Sequence, residues 1–297
     1  QMKLRPQLIN EIRLGEQMGR SSGYGGRTHS PLIDGDSLFV SIVGGGWREP
    51  LRQRYTSFDK RTGEVQWTTT PSAAPVEDFN NNANAIVALV GGERLMIAGG
   101  ADGWIYALRT GTGEVAWMYQ FSTRALNAPV TVRDGIVYAN QSEEPLGGAF
   151  MGQVVALDGT LKGDVTETAR KWNADAIGAG FGAPLLDGNR LYVVTNSGHL
   201  QALDATTGEQ LYGTNLGTIG RGSATLADGK IFATEVNGNI HILKPHEDRF
   251  ETLSHVALKM PDGRHVEVWG SMVPAYGRLY LLTENFLYCL GDKSAPF

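Results

Sequence analysis

Short apolar runs separated by glycine turns set the pattern of this chain. Turns at Gly35, Gly92, Gly135, Gly188, Gly229 and Gly277 are each followed by a run such as Leu38-Phe39-Val40, Ile136-Val137-Tyr138 or Leu191-Tyr192-Val193-Val194. A second turn follows, often Asp102-Gly103 or Asn237-Gly238 in kind, where glycine supplies positive φ at low cost. Then comes a third run (Trp104 to Leu108, Leu200 to Leu203, Ile240 to Leu243, Leu287 to Leu290) and a fourth carrying Trp or Tyr. No segment shows a helical period. Four short antiparallel strands per unit, in six units repeating every 40 to 57 residues or so, predict an all-β chain of β-propeller blades.

The turn before the fourth strand carries a second repeat. Asp59-Lys60-Arg61-Thr62-Gly63-Glu64-Val65-Gln66-Trp67 recurs as Arg109 to Trp117 and as Asp204 to Tyr212. Three units depart from it. The third is stretched by Ser142–Gly152 and Gly159–Thr168, the fifth replaces Thr-Gly-Glu by Pro245-His246-Glu247-Asp248, and the last stops after its third strand at Leu290. Gln7–Leu14 offers either a fourth strand that closes a six-bladed ring or the remnant of an earlier blade in a ring of seven or eight. The expected organisation is one propeller domain over residues 1–297, with an N-terminal strand and entry segment over 1–23, repeats over 24–293 and a tail over 294–297.

The 297 residues are 41% apolar, enough for a large core, and the net charge is −5. No basic stripe is present, which argues against nucleic acid as the main partner, and no apolar run is long enough to span a membrane. The single Cys289 lies in the run Leu287-Tyr288-Cys289-Leu290 and reads as a small buried hydrophobe. Gln1 opens no signal-peptide pattern, so a mature or trimmed product is expected.

In a four-stranded blade the turns alternate between two faces. The segments entering each first strand share a face with the turns after each second strand, and in propellers ligands collect there, near the axis. The entering segments bring Arg27, His29, Asn84, Arg124, Asn127, Arg221 and Trp269; the turns bring Glu143, Glu144, Asn196, Glu235, Glu284 and Asn285. Arginines in that setting suit a carboxylate or phosphate, and carboxylates suit a cation such as calcium. The competing reading pairs these arginines and glutamates across neighbouring blades as funnel-closing ion pairs. His29 is a candidate proton acceptor or a hydrogen-bonded loop residue. His199 and His241 lie in or beside third strands, His246, His255 and His265 show no ligand-like spacing, and no metal site is expected from these histidines. Asn80-Asn81-Asn82 reads as a turn cluster, and Trp47 as a partner contact or a blade cover.

The motif Leu203-Asp204-Ala205-Thr206-Thr207-Gly208-Glu209 and its copies resemble the pyrroloquinoline-quinone (PQQ) repeat, over nearly all of residues 24–293. Quinoprotein alcohol dehydrogenases and a non-enzymatic outer-membrane assembly lipoprotein share it, and the nearest likeness is to PQQ-like propellers of large bacterial multidomain chains. The resemblance implies a periplasmic or secreted protein. It implies tryptophans that anchor one blade to the next, usually in rings of eight blades. It offers two functions. One is a non-catalytic scaffold holding a protein partner or small anionic ligand. The other is an oxidoreductase using PQQ and calcium on alcohols or sugars. Methanol-type quinoproteins also carry a vicinal disulfide that one cysteine cannot form, and no catalytic residue carries over.

Overall fold

The computed structural model describes residues 8, 11–13, 30–44, 52–71, 83–143, 145 and 150–291. All regular secondary structure among them is β-strand, arranged in six sheets, one per repeat. The chain divides into two compact units, residues 1–126 with 161–165, and residues 127–160 with 166–297.

In the first unit, β1 (Leu32–Asp34), β2 (Ser37–Gly44), β3 (Arg52–Asp59) and β4 (Val65–Thr69) form one antiparallel blade in chain order. The next contains β5 (Ile86–Val90), β6 (Glu93–Gly99), β7 (Trp104–Arg109) and β8 (Val115–Gln120). Buried Phe39, Tyr55, Met96, Ala98 and Leu108 pack between these two sheets. The second unit opens with β9 (Thr131–Arg133), β10 (Ile136–Gln141) and β11 (Gln153–Asp158); the chain then makes β12 (Gly163–Asp164) before β13 (Arg170–Asp175) completes the third blade. The fourth blade is β14 (Leu185–Asp187), β15 (Arg190–Val194), β16 (His199–Asp204) and β17 (Gln210–Asn215). The fifth is β18 (Thr225–Ala227), β19 (Lys230–Thr234), β20 (Asn239–Pro245) and β21 (Phe250–Ala257). The sixth has three strands, β22 (Val273–Ala275), β23 (Arg278–Leu282) and β24 (Leu287–Leu290). Apolar layers join successive blades here too, with Leu191, Val193 and Leu203 under the third and Ile231, Ala233 and Leu243 under the fourth. Each buried Leu, Ile or Val among them contributes about 1.5–3 kcal/mol through water exclusion.

The repeat motif has a physical explanation. Asp204 Oδ1 accepts the backbone N–H groups of Thr206 (2.8 Å) and Thr207 (3.0 Å), and Asp59 does the same for Arg61 (2.8 Å) and Thr62 (3.0 Å). The glycine of the turn takes positive φ, +78° at Gly208. A Cβ there would lie 2.4 Å from the Trp172 ring, because Trp172 packs on it and donates Nε1–H to Ala205 O (3.0 Å). Trp67 is held on the second blade in the same way, through Thr110 O (2.9 Å), and Tyr212 on the fifth through His246 O (2.6 Å). The motif is thus a lock between neighbouring blades: the tryptophan of one fills the space left by the glycine of the next. A bulge recurs between third and fourth strands, as at Ala107/Leu108, Ala202/Leu203 and Ile242/Leu243.

Three expectations are corrected. The insertion Gly159–Thr168 does not simply lengthen the third blade. Residues 161–165 belong to the first unit, where β12 pairs in parallel with Trp117 and Met118 of β8 and makes that sheet five-stranded. Within Gln7–Leu14, residues 8 and 11–13 form no strand and Leu8 is 76% exposed; the others lie outside the described residues. Among the described residues no fourth strand covers β24. Cys289 is accordingly exposed rather than buried.

Candidate functional site

Backbone hydrogen bonds tie several of these loop segments together in the second unit. Asn196 N–H donates to Gly178 O (2.8 Å), Val236 N–H to Ile219 O (3.1 Å) and Glu284 N–H to Glu267 O (3.1 Å). Each bond ties a turn after a second strand to the segment entering a blade, so the turns at Asn196, Glu235 and Glu284 lie beside entering segments of the second unit.

Asn196 is the hub of the fourth blade's loops. Its Oδ1 accepts Gly180 N–H (3.0 Å), and its carbonyl accepts Gly220 N–H (3.3 Å) and Arg221 Nη1 (3.5 Å). Arg221 is half-buried. Its guanidinium lies 4.4 Å from the centre of the Phe181 ring and donates to Gly220 O (2.9 Å). No carboxylate pairs with it among the described residues, and desolvation lowers its pKa. Among the described residues, the inter-blade ion pair of the competing reading does not form at this position.

Glu235, just past β19, has its acid saturated by local donors. Oε2 accepts Thr218 N–H (2.9 Å), while Oε1 accepts Asn239 Nδ2 (2.8 Å) and meets His241 Nε2 (3.0 Å). Gly217 makes this approach possible, since a Cβ there would lie 1.8 Å from Oε2. Burial pushes the carboxyl up, but the three donors outweigh it and hold it below its ordinary value. His241 pairs directly across the sheet with His255, their rings stacked 4.7 Å apart. The structure thus brings together two histidines for which the sequence showed no ligand spacing. Their separation of fourteen residues becomes adjacency only through the β20–β21 register.

The other candidates do not join this group. Trp269 is half exposed, and its Nε1–H donates to Glu267 Oε2 (3.1 Å). Glu284 is exposed, and Asn127 is half-buried beside the start of the third blade. In the first unit, Asn84 Oδ1 accepts Ser30 N–H (2.9 Å) as a loop tie, and Arg124 is exposed with no ion pair among the described residues. Arg27, His29, Trp47, Asn80, Asn81, Asn82 and Glu144 lie outside the described residues. An apolar cleft of about 810 Å³ opens between the fifth and sixth blades, lined by Phe232, Ile242, Met272 and Leu279, and collects none of the predicted polar residues.

The model of the PQQ-repeat family described as outer membrane protein assembly factor BamB matches residues 51–166 and 151–250. The chain belongs to this family. No curated protein matches it. Among solved structures, BamB from Moraxella catarrhalis is similar at a TM-score of 0.62 and 19% identity, over 84% of this chain and 68% of that one. The computationally designed Ika8 protein is similar at 0.62 and 12% identity, over 89% and 71%. Quinohemoprotein alcohol dehydrogenase from Comamonas testosteroni is similar at 0.63 and 17% identity, over 92% and 53%. These likenesses establish the β-propeller fold, which both an assembly factor and a dehydrogenase use.

The fold therefore raises PQQ with calcium as a candidate cofactor set. The one cluster of histidine and acidic groups found among the described residues does not suit the calcium. The only described cluster of three potential metal ligands is Glu235 with two imidazoles, whereas calcium takes six to eight or so oxygen ligands. No cysteine neighbours Cys289 in the sequence, so the vicinal disulfide of methanol-type quinoproteins cannot form.

Proposed function

We propose that this propeller is a non-catalytic binding or scaffold module of the periplasm or cell exterior, and that its loop face holds an acidic segment of a protein partner. One observation carries the reading: Arg221 is half-buried on an aromatic ring, bonded only to carbonyls, with no counter-ion among the described residues. A desolvated cation of this kind gains most from an incoming carboxylate, which can take two parallel N–H donors at once. A small free anion offers the same chemistry. The family's BamB description and the acidic chain's lack of a basic stripe support a protein partner over nucleic acid. That description also supports the periplasm.

The test is calorimetric titration with a glutamate-rich peptide and, separately, with citrate. The wild-type chain should bind the peptide saturably, and Arg221→Ala should abolish binding with little change in melting temperature. Arg221→Lys should restore binding only partly, because an ammonium cannot fork. Citrate binding alone would move the reading to a small anion. Equal binding by wild type and Arg221→Ala would remove Arg221 from the site.

A further inference from the structure

The loop face of the fifth blade carries a second constellation that does not depend on Arg221. We propose that Glu235, His241 and His255 form a binding site for a divalent transition-metal ion of the zinc class. One donor atom from each lies within 4.8 Å of the others. The arrangement follows from the strand pairing. His241 on β20 and His255 on β21 are register partners, so both side chains project from the same side of the sheet at directly opposed positions. Glu235 reaches them from the turn between β19 and β20.

The donor chemistry selects the ion. Two imidazoles and one carboxylate suit zinc, copper, nickel or cobalt, and disfavour calcium and magnesium, which take oxygen. The surroundings already orient the carboxylate: Asn239 donates to Oε1 and Thr218 N–H to Oε2 of Glu235, as outer-layer partners fix metal-ligating acids elsewhere. An ion would displace the hydrogen shared between His241 Nε2 and Glu235 Oε1, which shifts to Nδ1 or leaves to solvent. His255 is exposed, giving the ion an entry path. Three protein donors leave a fourth position for water or a partner's side chain.

The His255 side chain makes no hydrogen bond among the described residues, so its removal gives up its ring contact with His241 while leaving the Glu235–His241 hydrogen bond in place. The untagged chain, stripped with chelator, is titrated with Co²⁺ and followed by its visible d–d absorption, then back-titrated with Zn²⁺. The expected result is one equivalent of Co²⁺ with an imidazole–carboxylate spectrum, displaced by Zn²⁺. His255→Ala should weaken binding by roughly tenfold or more while melting like the wild type. Arg221→Ala should bind metal normally, which separates this site from the anion site. Absence of saturable binding, or equal affinity in His255→Ala, would overturn the proposal and leave Glu235–His241 as a structural pair.

Discussion

Glycine 208 shows how much of this fold rests on single residues. Its positive φ alone would cost an alanine roughly 1–2 kcal/mol. Gly229 has the same backbone requirement, at φ +65°, with nothing within 4 Å of a new Cβ. Gly208→Ala must in addition move the Trp172 ring, an overpacking cost of about 1–3 kcal/mol. Denaturant unfolding should therefore show Gly208→Ala clearly less stable than Gly229→Ala. Equal losses would mean that the blade lock is not what holds this glycine. Residue roles in the repeat were legible because the motif recurs. Glu235 was legible as a loop-face acid, yet its partners were not: Thr218 offers only a backbone N–H, and His255 lies beyond a hairpin whose bulge at Ile242/Leu243 shifts the register.

At the level of elements, the turns hold a pH dependence. The N–H groups of Thr62 and Arg61 keep Asp59 below its ordinary value of 3.8. At Asp204 burial pulls upward, but the N–H groups of Thr206 and Thr207 prevail and the value is again lowered. A carboxyl with a depressed folded value stabilises fully above its unfolded value and loses that contribution as pH falls through the folded one. Stability should therefore be level above about pH 4 from these groups and decline below it. Asp59→Asn with Asp204→Asn should flatten the decline, as followed by urea midpoints across that range. An unchanged slope would assign acid sensitivity to other carboxylates. Strand positions were readable throughout because apolar runs and glycine turns alternate so regularly. β12 was not: Gly163-Asp164 has no apolar pattern, and its place against β8 depends on a pairing distant in sequence.

On the scale of the whole chain, the family and the blade architecture were visible in the sequence, while the chemistry of the loop face was not. Propeller blades are specified by local turns and periodic strands, which a sequence displays. A binding face is assembled from loops of several blades, and its charges are decided by who pairs with whom. Among the described residues, Glu235 and Arg221 do not make the arginine–glutamate closure: Glu235 is bonded by its own blade and entry loop, and Arg221 lies on Phe181. Fold likeness to a dehydrogenase at 17% identity does not decide between binding and oxidation. Calorimetric titration of the purified, folded chain with PQQ plus calcium decides it most directly. A non-catalytic binding module predicts no saturable heat and no dye-linked oxidation of alcohols or sugars. Saturable binding near one equivalent, with such oxidation, would contradict it and make the chain a quinoprotein.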